Sequence, residues 1–216
     1  MSRIRSLASM ATALSTTVVV VLALAGCASP GEAVADEPVP TQSTPASTPT
    51  PTPSEPQPVV VDPADVTTWT ITAAGIGPLG RGDAYPEVLA GLPAFAVAEW
   101  CPWVAELTAE GAASLLLTHP EGGEEITSVW LSGRADEAGV VPASPTTEAG
   151  IVLGSTLEEL SAAYPDLQAV NQTGENSYGY AVGDEENGYL DFLVENGVVV
   201  MIGVQDRAGV PKEFCG

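Results

Sequence analysis

Residues 189–205 read Tyr-Leu-Asp-Phe-Leu-Val-Glu-Asn-Gly-Val-Val-Val-Met-Ile-Gly-Val-Gln, and the pair Asn196-Gly197 decides how they fold. A type I′ turn needs positive φ at both central residues, which Asn-Gly supplies at least cost. The flanking runs, Tyr189 to Glu195 and Val198 to Gln205, are therefore predicted to be two antiparallel strands. Strand alternation sends Leu190, Phe192 and Val194 to one face and Tyr189 and Asp191 to the other. Asn187-Gly188 gives the same signal one strand earlier. It adds a strand at Ser177 to Val182, on which Tyr178 and Tyr180 share a face.

Working back toward the N-terminus, Gly154-Ser155-Thr156-Leu157-Glu158-Glu159-Leu160 predicts a short helix, with Ser155 and Glu158 spaced as a capping box. Gly82-Asp83-Ala84-Tyr85-Pro86-Glu87-Val88 lines up with it. After that earlier helix, turn signals at Glu110-Gly111 and Gly122-Gly123 separate strands near Trp103 to Thr108, Ala113 to Thr118 and Glu125 to Ser132. The two halves stay in step at an offset of roughly 70 to 77 residues. Apolar stretches from Trp69 to Leu79 and from Gly150 to Leu153 precede the two helices, and Asp136 to Thr147 joins the halves. The expectation is an α+β fold: two helix-plus-antiparallel-meander repeats, residues 60–137 and 138–216, forming a sheet with helices on one face and an open face opposite.

The chain before these repeats reads differently. Arg3 and Arg5 precede an apolar run from Leu7 to Ala25, the layout of a secretory signal over residues 1–26. Ser9, Thr12, Ser15, Thr16 and Thr17 interrupt the run short of the roughly 20 apolar residues of a membrane span. Its end, Leu24-Ala25-Gly26-Cys27, resembles the lipobox of bacterial prolipoproteins. That resemblance implies a diacylglyceryl thioether on Cys27, cleavage before it, and two or three acyl chains, enough for stable anchoring. Residues 27–59 are the lipidated cysteine and a Pro/Thr/Ser-rich linker, including Thr48-Pro49-Thr50-Pro51-Thr52-Pro53. This composition predicts a disordered tether with polyproline character, extending up to about 90 Å.

All 28 acidic residues follow Cys27 while two of the six basic ones precede it, which leaves four basic residues and a formal charge of −24. Such a chain repels nucleic acid and anionic headgroups, so no nucleic-acid partner is expected. With Cys27 taken by lipid, Cys101 and Cys215 remain as an even pair in an exported chain and are expected to form a disulfide.

The doubled pattern of Gly-x-Thr/Ser, short helix and meander in an exported protein resembles the tandem domains of beta-lactamase inhibitory proteins. It is also similar to the single-copy SmpA/OmlA-type outer-membrane assembly lipoproteins. This family implies protein binding through an exposed sheet and loops, without catalysis or cofactors. The inhibitors carry a disulfide in each repeat whereas one pair is available here, which leaves inhibitory activity unsupported. Gly75 to Leu79, Gly-Ile-Gly-Pro-Leu, resembles an element of actinobacterial lipoproteins and implies no function.

Chemistry-bearing residues are sparse. His119 is the single histidine and has no nucleophile elbow beside it. Glu124-Glu125, Glu158-Glu159 and Asp184-Glu185-Glu186 read as solvated turns and helix surfaces. The Asp184 loop lacks the ligand spacing of a calcium site, and Gly75 to Gly80 lacks the Lys-Ser/Thr pair of a phosphate loop. No catalytic residue, metal ligand or cofactor is assigned. The candidate binding surface is aromatic: Trp100, Trp103, Trp130, Tyr178, Tyr180 and Tyr189. For Trp100 and Trp103 the alternative is packing over the disulfide or in the core, and Trp130 is left open. The reading is a membrane-anchored extracytoplasmic lipoprotein at the cell membrane, a non-enzymatic module for a protein partner in the envelope. An exported hydrolase using acidic residues and a structural spacer are the alternatives.

Overall fold

The computed structural model describes residues 61–215. The signal, lipobox, Cys27 and linker lie outside them. The described chain begins with a 3-10 turn at Val66–Thr68 and continues through β1 (Thr70–Thr72), β2 (Gly75–Ile76), β3 (Leu79–Gly80) and α1 (Tyr85–Ala90). Then come β4 (Ala96–Cys101), β5 (Val104–Thr108), β6 (Ser114–Thr118), β7 (Ser128–Ser132) and β8 (Thr146–Thr147). The last elements are α2 (Leu157–Ala163), β9 (Gln168–Gly174), β10 (Ser177–Asp184), β11 (Gly188–Glu195) and β12 (Val198–Gln205).

Eight strands form one antiparallel sheet in the order β4-β5-β6-β7-β12-β11-β10-β9. Two meanders meet at its centre, where β12 pairs with β7 from Met201 opposite Ser132 to Val204 opposite Val129. A second sheet, β3-β2-β1-β8, contains the parallel pair β1 and β8. One face of the large sheet and this smaller sheet enclose the main core. Leu107, Leu115, Leu117, Val129, Leu131, Phe192, Ile202 and Val204 meet Trp69, Ile71, Ile76, Leu79, Leu153 and Leu160 there.

This corrects the expected α+β class. The fold is mostly β, with twelve strands in two sheets against two α-helices of six and seven residues among the described residues. It is not a pair of helix-plus-meander repeats with helices on one face. The Trp69 to Leu79 stretch, expected as one apolar run, doubles back twice into a sheet. Gly77 makes the second reversal possible at φ +55°, where a Cβ would also collide with the Trp69 indole. The helices stay short for local reasons. Helix α1 has no side-chain cap and ends at Gly91. Helix α2 stops at Tyr164, the residue before Pro165, where helical geometry is disfavoured. Its capping box is Thr156 with Glu159, one position beyond the expected pair. Ser155 is diverted to accept the Val152 N–H.

Among the turns, Asn196 and Gly197 have φ of 50° and 85°, the positive pair required between β11 and β12. Asn187-Gly188 departs from expectation: only Gly188 is positive, at 94°. The Asp184 carboxylate accepts the backbone N–H groups of Glu186 and Asn187 and builds a longer turn instead.

Candidate functional site

The face of the large sheet away from the main core was expected to be open, and it is not. It carries a second apolar cluster of Val104, Leu116, Trp130, Leu193, Val200 and Val210, with Trp103, Met201 and Phe214 packed against it. The C-terminal segment after β12 crosses this cluster as a strap, and each step of the crossing has a pin.

At its root, alternation puts Asp191 on this face, fully buried. Its Oδ1 accepts the Gly209 N–H at 2.6 Å and its Oδ2 accepts the Gln205 amide at 3.0 Å. The same Gln205 amide donates to the Gly209 carbonyl at 2.6 Å. Burial raises the Asp191 pKa to about 6, against the smaller opposing pull of the Gly209 N–H, the Gln205 amide and the Arg207 charge. Further along, the Asn171 side chain on β9 treats Val210 as a strand partner. It donates to the Val210 carbonyl at 2.8 Å and accepts the Val210 N–H at 3.1 Å. Gly179 on β10 leaves the space this requires, since a Cβ there would strike the Asn171 amide and crowd Val210.

Phe214 then meets the Trp130 ring edge to face, with centroids 5.6 Å apart, and its carbonyl accepts the Trp103 Nε1–H at 3.0 Å. The Cys101–Cys215 disulfide fastens the end of the strap to the end of β4, with Cα atoms 6.1 Å apart. Trp130 has room because its cross-strand partner is Gly203, where any Cβ would overlap the indole.

Two clefts that share Pro211 and Phe214 border the strap. The first, about 430 Å³, is lined by Trp103, His119, Trp130, Asp206, Arg207 and Glu213 among others. The second, about 460 Å³, includes Arg134, Glu175, Glu195, Met201, Lys212 and Phe214. In it, Arg134 grips Glu195 with two hydrogen bonds of 2.9 and 2.7 Å. This pairing holds the Glu195 pKa below its ordinary value and raises that of Arg134. Three of the four cations in residues 61–215 thus line the two clefts, opposite the four carboxylates Glu175, Glu195, Asp206 and Glu213. Outside these two linings the described domain sets Arg81 alone against twenty acidic residues, among them Asp191 beneath the strap. The cleft linings are the near-neutral part of a strongly acidic body.

The aromatic residues singled out in the sequence divide between locations. Trp100 stands 52% exposed on β4, its Nε1–H donating to Glu106 at 3.1 Å. Trp103 is half-buried against the strap. Trp130, grouped with the binding surface, is buried at 1% exposure because the strap covers it, and so offers no free ring face. Tyr189 is half-buried, with its parity on the strap face. Tyr178 and Tyr180 belong to the opposite face, where they border a hollow of about 500 Å³ with Leu157, Asn176, Val194 and Asn196. No single sheet face displays the whole set.

His119 stacks on Tyr85 at 4.8 Å, and its Nδ1 lies 3.1 Å from the Pro120 carbonyl. Carboxylates weighed earlier for chemistry have structural partners: Glu159 caps α2, and Asp184 ties its own turn, each with its pKa lowered by those hydrogen bonds. Among the described residues no group of three or more His, Cys, Asp or Glu is placed to hold a metal ion, and no helix is long and apolar enough to cross a membrane. Sequence reasoning missed Asp191, Asn171, Gly179 and Gly203. The signal for Asp191 was present, as a carboxylate inside the run Leu190 to Val194. Compared with protein families, curated proteins and solved structures, the chain finds no match.

Proposed function

We propose that this protein is a lipid-anchored, extracytoplasmic interaction module of the cell envelope, tethered through Cys27 and engaging a protein partner without catalysis. The lipobox Leu24-Ala25-Gly26-Cys27 supports the anchor, and the Cys101–Cys215 bridge suits an oxidising compartment outside the cytoplasm. The observation that carries the choice of surface is the gathering of Arg134, Arg207 and Lys212 on the strap face. A strongly acidic domain repels acidic partners and attracts basic ones. The strap face is where a protein of acidic surface docks with the least Coulombic penalty, and its half-exposed aromatics supply the residue type enriched in interface hot spots.

Two measurements test this reading. Intact-mass spectrometry of protein from the native host is expected to find Cys27 carrying a diacylglyceryl group, and a free Cys27 sulfur removes the anchor. Crosslinking on intact envelopes is expected to capture a specific partner with the wild-type chain. That partner should be lost when Arg207→Glu and Lys212→Glu are introduced together. Undiminished capture by the double variant moves the docking site off the strap face.

A further inference from the structure

The hollow of about 500 Å³ beside Tyr178 and Tyr180 differs from the strap clefts in one respect: no charged side chain lines it. Two hairpin turns and the start of α2 build it. Asn176 and Asn196 sit in the turns with φ of 55° and 50°, and the Asn196 N–H donates to the Asn176 carbonyl at 2.9 Å. The Leu157 N–H donates to the Gly197 carbonyl at 2.9 Å and ties α2 to the second turn. Tyr178 lies directly opposite Val194 and Tyr180 opposite Phe192, which puts both tyrosines on the face where Val194 and Leu157 supply the apolar lining. Tyr178 is 42% exposed. Glu175 and Glu195, which precede the two asparagines in sequence, line a strap cleft instead.

The polar groups of this lining are unspent. The nearby Gln172 and Thr173 side chains bond within the chain, whereas those of Asn176, Tyr178, Tyr180 and Asn196 have no hydrogen-bond partner among the described residues. They are open to solvent, since no buried side-chain nitrogen or oxygen lacks a partner there. Each carboxamide and each phenol can both donate and accept. We infer that the hollow is a binding site for a neutral saccharide. A charged ligand finds no counter-charge in the lining to offset its desolvation. An aliphatic side chain would cover the amides and phenols without pairing them, at a net cost. A proline-rich segment brings carbonyl acceptors alone and leaves the lining's own acceptors unmet. A sugar ring matches both halves: its C–H face packs on aromatic and aliphatic carbon while its rim hydroxyls donate and accept together. The volume lies within the roughly 300–1,000 Å³ of small-ligand sites. This hollow is on the opposite face from the strap, so the inference goes beyond protein docking and adds a second class of ligand.

The test titrates the full mature chain, in detergent, with maltotetraose, cellotetraose, chitotetraose and mannotetraose by calorimetry. Saturable binding of at least one is expected, with new hydrogen-exchange protection in residues 176–180 and 194–197. Tyr178→Ala, at an exposed position, should weaken it about tenfold. Asn176→Gly with Asn196→Gly keeps the positive φ of both turns while removing both carboxamides, and should weaken it about fivefold or more. Cosedimentation with isolated envelope polysaccharide, competed by the bound tetrasaccharide, would place the ligand on a polymer; binding of the free sugar alone would make it a soluble one. No saturable binding by any of the four overturns the inference, as does binding that both variants leave undiminished. Saturable binding of acetylated and amidated hexaproline that Tyr178→Ala removes, with no sugar bound, assigns the hollow to a protein segment and also overturns it. A partner crosslink sensitive to Arg207 and Lys212 would survive each of these failures, because it reads the other face.

Discussion

The two faces of the large sheet are closed by different means. On the core face, a continuous apolar cluster joins the large sheet to the smaller one, with Trp69, Ile71, Leu79, Leu160 and Phe192 each at 1% exposure or less. On the other face a smaller cluster is covered by a single segment fixed at intervals: Asp191 at the root, Asn171 in the middle, and Trp103 and the disulfide at the end. The first arrangement distributes its stability over many contacts. The second concentrates it in a few directional bonds that chemistry or solvent conditions can remove one at a time.

The largest effect should come from the distributed face. Phe192 is fully buried and packs on Tyr164 at 5.5 Å. Phe192→Ala leaves a cavity in the layer between the sheets and is expected to cost about 3–5 kcal/mol in denaturant unfolding. A loss under about 1 kcal/mol would mean that the core face collapses around the vacancy and is less tightly packed than the strap face.

Next in size is the disulfide. Cys101→Ser with Cys215→Ser frees the end of the strap and a crosslink spanning 114 residues. Chain entropy sets an upper bound near 5 kcal/mol, and about 2–4 kcal/mol is expected. Limited proteolysis should then cut within residues 206–215 while the two sheets persist. Cleavage throughout the domain would show that both faces depend on the bridge.

Asp191 gives the third test, and its sign distinguishes it from the other carboxylates. Its pKa stands at about 6 in the folded chain against an ordinary 3.8. Below the lower value both folded and unfolded forms hold the proton, and between the two the unfolded chain releases it first. The contribution to stability is thus fully present below pH 3.8 and is lost as pH rises through about 6. Its ceiling is roughly 2–3 kcal/mol. Glu195, with its pKa lowered by Arg134, acts in the opposite direction, so the measurement is a difference. Wild-type stability minus that of Asp191→Asn should fall between pH 4 and 6 and level off above. A flat difference would remove Asp191 as the titrating pin.

What the sequence revealed follows from which interactions were local. Asn196-Gly197 was legible because its positive φ angles depend on two residues and nothing else. Asn187-Gly188 looked identical and failed, since Asp184, three positions earlier, offers a carboxylate that captures the turn's amides. The central strands were legible from apolar runs, whereas β4 and β9 were not found. Edge strands face solvent and need no alternation, and β4 is exposed at five consecutive positions. The short helices were found but their weight was misjudged, because the small sheet that dominates that layer is assembled from two- and three-residue strands. For the site, cysteine parity located both ends of the disulfide. The strap between them has no periodicity, and its partners Asn171 and Asp191 lie 39 and 18 residues upstream of what they hold.

Asn171 supplies the smallest effect and the sharpest comparison. Its amide is bonded to both backbone groups of Val210, so Asn171→Ala leaves a partly buried N–H and carbonyl without partners, a loss of about 1–2 kcal/mol. The informative quantity is that loss measured again without the disulfide. If the strap is one unit, releasing its end also releases Val210 from Asn171, and the substitution then costs almost nothing. The coupling in a double-mutant cycle would approach the whole single-mutant effect. If the two losses simply add, Val210 stays docked on β9 while the end swings free, and the strap face is held by independent pins. The same cycle run between Phe192→Ala and the disulfide should be additive, because those residues lie on opposite faces of one sheet and share no partner.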